Sequence, residues 1–483
     1  MLGNIINFSD PSKNSYYFSF AILIIAIILL IQLIIMNLKK YPVRQNPAPN
    51  SSLDNKFPYD KQLLRYRKDA LKSRYLLAFA ITRSAMWAKV PYLYALFMIL
   101  HKFSFAEIGF LFLIYSFIGL FIGPIIYKLA NKYGRKLFCL ICNFITIIAL
   151  FLLIQGSRIL AYIAVIIVSG FSSRLLSSIF EAWLASESEL LLQNLNDERE
   201  LFRKHILIKS NIYDGLISII TCIICSFIYT YFGITSPFWI SIFLSLLSSI
   251  YIGIFWNENI IIRLEGEPGN NLLFVALHEL KKVDVLCIGL IEGLAMACLK
   301  IYIFSWTPIL KQSTPGGMNF GFIFSILALG AIIGFKFYEM LIIHLRFDYY
   351  ISITGTLFLQ GLILFLTYYI NSFFWRMIFL SLFNGLLGFY SPLNSIIKSD
   401  ILIGPYKSII MALFNIPTNI YIIAIFLHLN YMNCFTLALI SSIISVIAFI
   451  IGIFLTVYLR ITKKNEENLE HEGYNNLLQH DIN

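Results

Sequence analysis

"YKLANKYGRK", residues 127–136, lies between two long apolar runs, 104–127 and 137–155. Lys128, Lys132, Arg135 and Lys136 make it basic, and it holds no acid. A run of about 20 apolar residues is long enough to cross a bilayer as a helix. A short basic loop between two such runs marks the cytosolic side. The loop therefore reads as a cytosolic turn between two membrane-spanning helices.

The same pattern extends along the whole chain. Twelve runs follow one another near 75–98, 104–127, 137–155, 159–184, 206–231, 236–256, 283–306, 320–343, 350–370, 374–397, 407–428 and 432–459, and one more, 16–36, precedes them. The 483 residues are 59% hydrophobic and 13% charged, with a mean hydropathy of +0.78. Those values exclude an ordinary soluble domain. The run 16–36 is too long for a signal-peptide core and reads as a retained anchor.

The net charge of +11 raises the question of nucleic acid. With 37–74 placed in the cytosol and sides alternating from there, cytosolic segments, with Lys407 at the edge of its run, carry 26 of the 37 Lys and Arg residues. Outer segments, with Arg376 at the edge of its run, carry five: Lys13, Lys102, Arg158, Lys311 and Arg376. The basic charge thus marks membrane orientation, and no nucleic-acid partner is expected. The N-terminus is expected outside or in a lumen and the C-terminus in the cytosol. The plasma membrane is the expected location, an internal organelle membrane the alternative.

Polar breaks divide the chain. Residues 1–74 comprise the anchor helix and a basic, proline-bearing cytosolic linker. The N-terminal six-helix half is 75–256, and a central cytosolic loop fills 257–282. Within it begins "LLFVALHELKKV" (272–283), an amphipathic pattern suited to the membrane surface. The C-terminal six-helix half is 283–460, and the Asn- and Glu-rich tail 461–483 reads as disordered. The expected fold is an all-α polytopic membrane protein with twelve core helices in two six-helix halves, plus one N-terminal helix. Such a plan belongs to transporters built from structural repeats.

The seven cysteines read as small packing residues in helices. No spacing suits a metal site, and no nucleophile–base arrangement or nucleotide motif is present. Neither an enzyme nor a cofactor is expected. Asn7-Phe8-Ser9 fits a glycan acceptor.

The loop 127–136 resembles the signature loop of the major facilitator superfamily, with Gly134, Arg135 and Lys136 matching and Tyr127 and Asn131 departing. "PYLYALF" (91–97), "AEIGFLF" (106–112), "FEAWLASE" (180–187), "FSWTPIL" (304–310), "FGFIFSILALGAIIG" (320–334) and "MALFNIPTNI" (411–420) are similar to the molybdate-anion transporter branch of that superfamily. The resemblance covers roughly residues 16–460 and implies the fold above, the extra N-terminal helix and transport of a small anion. Gly134, Arg135 and Lys136 are implied to form a gating loop. Three polar anchors of the branch are replaced. Met86 stands where its Asp precedes Trp87, and Ile166 and Asn415 stand near two of its Arg positions.

Charges inside the spans are the remaining candidates. A charged side chain costs about 2.5–3.5 kcal/mol at a helix centre on insertion scales, so each one needs a partner, a cavity or an interface. Arg83, Lys89, Arg174, Lys209 and Lys300 are the expected anion-binding residues. Glu181 and Glu292, one in each half, are the expected proton carriers. Asp214 and the Lys336–Glu339 pair also lie within spans, the latter reading as a structural i,i+3 pair. Pro91 and Pro417 are expected to kink their helices. The expected function is transport of a small oxyanion such as molybdate by alternating access. The alternatives are an organic anion or drug-like metabolite, with Trp87, Tyr92, Tyr94 and Phe180 for stacking, and a non-transporting receptor or scaffold. The lipid bilayer and the anion are the expected partners, and the expected state is a monomer.

Overall fold

A computed structural model describes residues 58–170, 173–192, 196–259, 272–314, 318–402, 410–411 and 413–480. The anchor run 16–36, most of the basic linker and the Asn7 triplet lie outside the described residues. Fifteen α-helices occur among those described. They are α1 (Pro58–Lys89), α2 (Leu93–Ile99), α3 (Phe105–Tyr133), α4 (Arg135–Ile154), α5 (Arg158–Gly170), α6 (Ser173–Leu191), α7 (Asn196–Phe232), α8 (Ser236–Phe255), α9 (Leu272–Glu279), α10 (Val283–Gln312), α11 (Phe320–Tyr338), α12 (Tyr349–Tyr369), α13 (Phe373–Ile401), α14 (Asn415–Leu427) and α15 (Cys434–His480). Each of the twelve core runs is helical over most of its described residues. Eight of the described helices are long and apolar enough to cross a membrane, and three shorter apolar segments accompany them.

Local chemistry sets several boundaries. Ser104 and Glu107 form a capping box at the start of α3, and Arg158 pairs with the same Glu107. Pro91 lies in a 3-10 turn, Val90–Tyr92, that separates α1 from α2. Lacking an N–H, proline interrupts the helical ladder there, so the expected kink is a change of helix type. Pro417 falls instead in the first turn of α14, where a missing N–H has no intrahelical partner to lose. The helix α11 runs into a π-helical turn, Glu339–His344. Composition predicted a disordered tail, yet α15 continues to His480. The Glu, Lys and Leu residues of that stretch are good helix formers and outweigh its low hydrophobicity.

The chain divides into two compact units. Unit 1 is residues 1–265 with 311–332, and unit 2 is 266–310 with 333–483. In unit 1, α1 packs on α7 and α8, α4 on α5 and α8, and α3 on α5. Its core gathers Tyr75, Phe79, Phe180, Trp183 and Trp256. The rings of Trp183 and Trp256 stack with centroids 3.8 Å apart. Polar ties cross between these helices: Ser241 donates to the Ala85 carbonyl at 2.5 Å, and the Thr82 and Ser248 hydroxyls meet at 2.7 Å.

Unit 2 packs α12 against α13 and α15. Hydroxyls join α15 to α12, with Ser442 donating to the Gly361 carbonyl at 2.7 Å and Ser445 to the Leu357 carbonyl at 2.9 Å. Small and hydroxyl-bearing residues replace the hydrophobic effect as the glue between helices in lipid. Where α11 crosses α13, a Cβ on Gly334 would overlap the Gly385 carbonyl oxygen, so only glycine fits. Trp306 is 4% exposed and belongs to the core.

Candidate functional site

In unit 1 the signature loop acts as a lock between helix ends. Gly134 has φ +124°, and a Cβ there would meet the Glu258 carboxylate at 2.5 Å. That carboxylate accepts the backbone N–H groups of Lys136 and Leu137, each at 2.9 Å, at the start of α4. An anion at a helix N-terminus satisfies orphan donors and the helix dipole together. Arg135 is buried and donates to the Ala182 carbonyl at 2.6 Å and to the Ser186 hydroxyl on α6. Of the loop's three matched residues, Gly134 and Arg135 thus act through shape and side chain, and Lys136 through its backbone. The "FEAWLASE" stretch closes the lock: the Trp183 indole donates to the Asn257 carbonyl at 3.0 Å, and the Asn259 amide donates to Glu187 at 3.3 Å.

Deeper in unit 1, Arg83 on α1 grips Asp214 on α7 with two parallel bonds, Nε to Oδ1 at 2.6 Å and a terminal nitrogen to Oδ2 at 2.5 Å. The Trp87 indole donates to the same Oδ1 at 2.7 Å. The guanidinium also lies 5.5 Å from the Trp87 ring and 5.8 Å from that of Phe79. Asp214 thus supplies, from another helix, a carboxylate beside Trp87, where Met86 replaces the acid of the resembling branch.

A cavity of about 180 Å³ opens beside this pair, lined by Arg83, Lys89, Asn143 and Phe180 among others. Lys89 ends α1 and makes no hydrogen bond or ion pair among the described residues. Arg83 and Lys89 are therefore brought to one cavity. The other expected residues of this unit lie elsewhere. Arg174 falls in the first turn of α6, and its side chain lies outside the description. Glu181 is on an exposed face of α6 with Arg203 as its electrostatic neighbour. Lys209 sits on α7 beside Lys72 of α1.

In unit 2, Glu292 on α10 accepts from Lys398 Nζ on α13 at 2.8 Å, and both side chains are about 15% exposed. The second carboxylate oxygen of Glu292 is buried with no hydrogen-bond partner, as is the Tyr390 hydroxyl. Lys300 on α10 donates to the Asn419 side-chain oxygen on α14 at 3.1 Å. The Asn384 amide donates to the Tyr302 hydroxyl at 2.5 Å. Lys336 and Glu339 pair at 2.7 Å, as their spacing predicts. Lys398 is not among the expected site residues; its position one residue past the run 374–397 is the signal that sets it beside the span.

This arrangement defines a class: a polytopic helical membrane transporter of the major facilitator fold, with part-buried ion pairs in both units and a locked signature loop. The profile of the family described as "sugar-transporters, 12 TM" matches residues 61–381, and the chain belongs to that family of the major facilitator superfamily. It is similar to a molybdate-anion transporter of Xenopus tropicalis, 27% identical over 260 residues covering 51% of this chain and 54% of the relative. A molybdate-anion transporter of Xenopus laevis is 26% identical over 53% of this chain and 55% of the relative. The chain thus spans about half the length of the curated relatives it matches. Among solved structures, a mutant of the nucleoside transporter NupG superposes with a TM-score of 0.65 at 15% identity, covering 80% of this chain and 99% of that one. The human organic anion transporter MFSD10 gives 0.56 at 12% identity, over 80% of this chain and 99% of that one. These structural likenesses establish the fold.

Proposed function

We propose that the protein carries a small anion across its membrane by alternating access, with molybdate or a related oxyanion as the leading substrate. The observation that supports this reading is the charge left over once the pairs are made. Asp214 is taken by Arg83, Glu292 by Lys398 and Glu339 by Lys336. Lys89 lines a cavity without an acid, and Lys209 sits beside a second lysine. Unmatched cations in a low-dielectric interior are costly, and an arriving anion relieves that cost. The similarity to proteins named molybdate-anion transporters points the same way.

In this reading Arg83, Lys89, Arg174, Lys209 and Lys300 attract or bind the anion, and Glu181 and Glu292 carry a coupling proton. The six-helix halves 75–256 and 283–460 are the moving bodies, in a monomer with the loops beside Gly134 in the cytosol. A second reading, an organic anion, is favoured by the largely apolar wall of the unit 1 cavity.

Uptake of labelled molybdate, sulfate, an organic anion and a neutral sugar into vesicles separates these readings. Saturable molybdate uptake, weakened in Glu292→Gln when a proton gradient drives it, is the expected result. Sugar uptake with no anion uptake would overturn the anion reading.

A further inference from the structure

The cavity inside unit 1 has a size, a wall and a charge that together select one kind of molecule. At about 180 Å³ it is close to the roughly 150 Å³ apolar cavity known to accept benzene. Val90, Leu93, Leu150, Leu153, Val168 and Leu176 make much of its wall hydrocarbon. Its polar groups are mostly engaged already. The Thr82 hydroxyl donates to the Ala78 carbonyl at 2.8 Å, and Thr146 donates to the Cys142 carbonyl at 2.8 Å. The Asn143 amide donates to Ser248 at 3.2 Å, and Arg83 is bound by Asp214. Among the charged groups of the lining the Lys89 ammonium remains, with the Tyr115 and Ser245 hydroxyls as the other polar groups.

We propose that this cavity binds a small amphipathic monocarboxylate, of benzoate or hexanoate size, with the carboxylate on Lys89 Nζ and the hydrocarbon body against the apolar wall. One anionic group matches one unengaged cation, and the body gains from leaving water. A tetrahedral dianion matches the site poorly: it would set hydrated oxygens on hydrocarbon with a single ammonium to receive them. A neutral aromatic would leave the ammonium unpaired. The site rests on the organic-anion reading of this same cavity, and on it Lys89 serves the carboxylate and leaves the set of oxyanion-binding residues.

The test is equilibrium binding of labelled benzoate to the purified full-length protein, with benzyl alcohol and molybdate as competitors. Benzoate is expected to bind saturably, with Kd at least tenfold higher in Lys89→Met, where the charge is lost, and in Leu150→Phe, where the cavity is filled. Lys89→Arg is expected to bind within a few-fold of the parent. Benzyl alcohol is expected to compete at least tenfold more weakly than unlabelled benzoate, and molybdate not to compete. The proposal is overturned by absence of saturable binding, by undiminished binding in both Lys89→Met and Leu150→Phe, or by stoichiometric displacement by molybdate. Binding needs no transport, so a protein that moves no anion yet holds benzoate would sink the transport reading and leave this site standing.

Discussion

Arg83 and Asp214 show why a charge in a membrane helix is legible as special while its partner is not. They lie 131 positions apart on different helices, and their side chains are 17% and 21% exposed. Removing one member of a fully buried pair costs about 3–5 kcal/mol, so at the partial burial of this one the loss is smaller but of the same sign, whereas replacing both with apolar groups is often near neutral. Asp214→Asn is therefore expected to lower the unfolding temperature in detergent, and Arg83→Met/Asp214→Leu to recover most of the loss. Equal losses in the single and double variants would count against the pair. His101 provides a second residue-scale expectation. It is 2% exposed between α2 and α3, with Nε2 3.0 Å from the Leu153 carbonyl oxygen and its ring stacked on Phe103. Burial holds its pKa below the usual histidine value. The unfolded chain then takes up a proton near pH 6.5 while the folded one stays neutral, so stability falls as pH drops below about 6.5. His101→Gln should flatten that slope in unfolding curves taken between about pH 7 and 5, and an unchanged slope would remove His101 as its source.

Helix-level features divide into those set by composition and those set by contact. Twelve apolar runs were readable because period and length are properties of each segment alone. The Gly134-Arg135-Lys136 motif was readable as a loop, but its locking acid, Glu258, lies more than 120 positions away and no local pattern announces it. Lys398 is a similar case: one residue past its apolar run it reads as an end charge, and its partner Glu292 lies 106 positions away on another helix. In the tail, low hydrophobicity argues for disorder and the Glu, Lys and Leu residues for helix, and α15 runs on to His480. Two substitutions test the contacts. Glu258→Ala should loosen the start of α4 and raise hydrogen exchange at Lys136 and Leu137, while Glu258→Gln, which keeps an acceptor, should lose less. Gly334→Ala should destabilise unit 2, because the atom its Cβ meets is a backbone oxygen with no rotamer to move. Wild-type unfolding temperature in Gly334→Ala would contradict that crossing of α11 and α13.

For the whole molecule, the fold was legible from the alternation of apolar runs with basic loops, and the family match over residues 61–381 agrees with it. The candidate site was legible only as a set of unusual charges. Which of them pair, and so which carry surplus positive charge, required the packing of α1 with α7 and of α10 with α13. The central claim is that this surplus serves a carrier for small anions. Counterflow tests it directly: purified protein in proteoliposomes loaded with unlabelled molybdate, diluted into trace labelled molybdate. A carrier that alternates access should accumulate label transiently above the level in empty-loaded vesicles, and saturably with internal molybdate. No stimulation by internal molybdate, alongside counterflow of a neutral sugar, would contradict it.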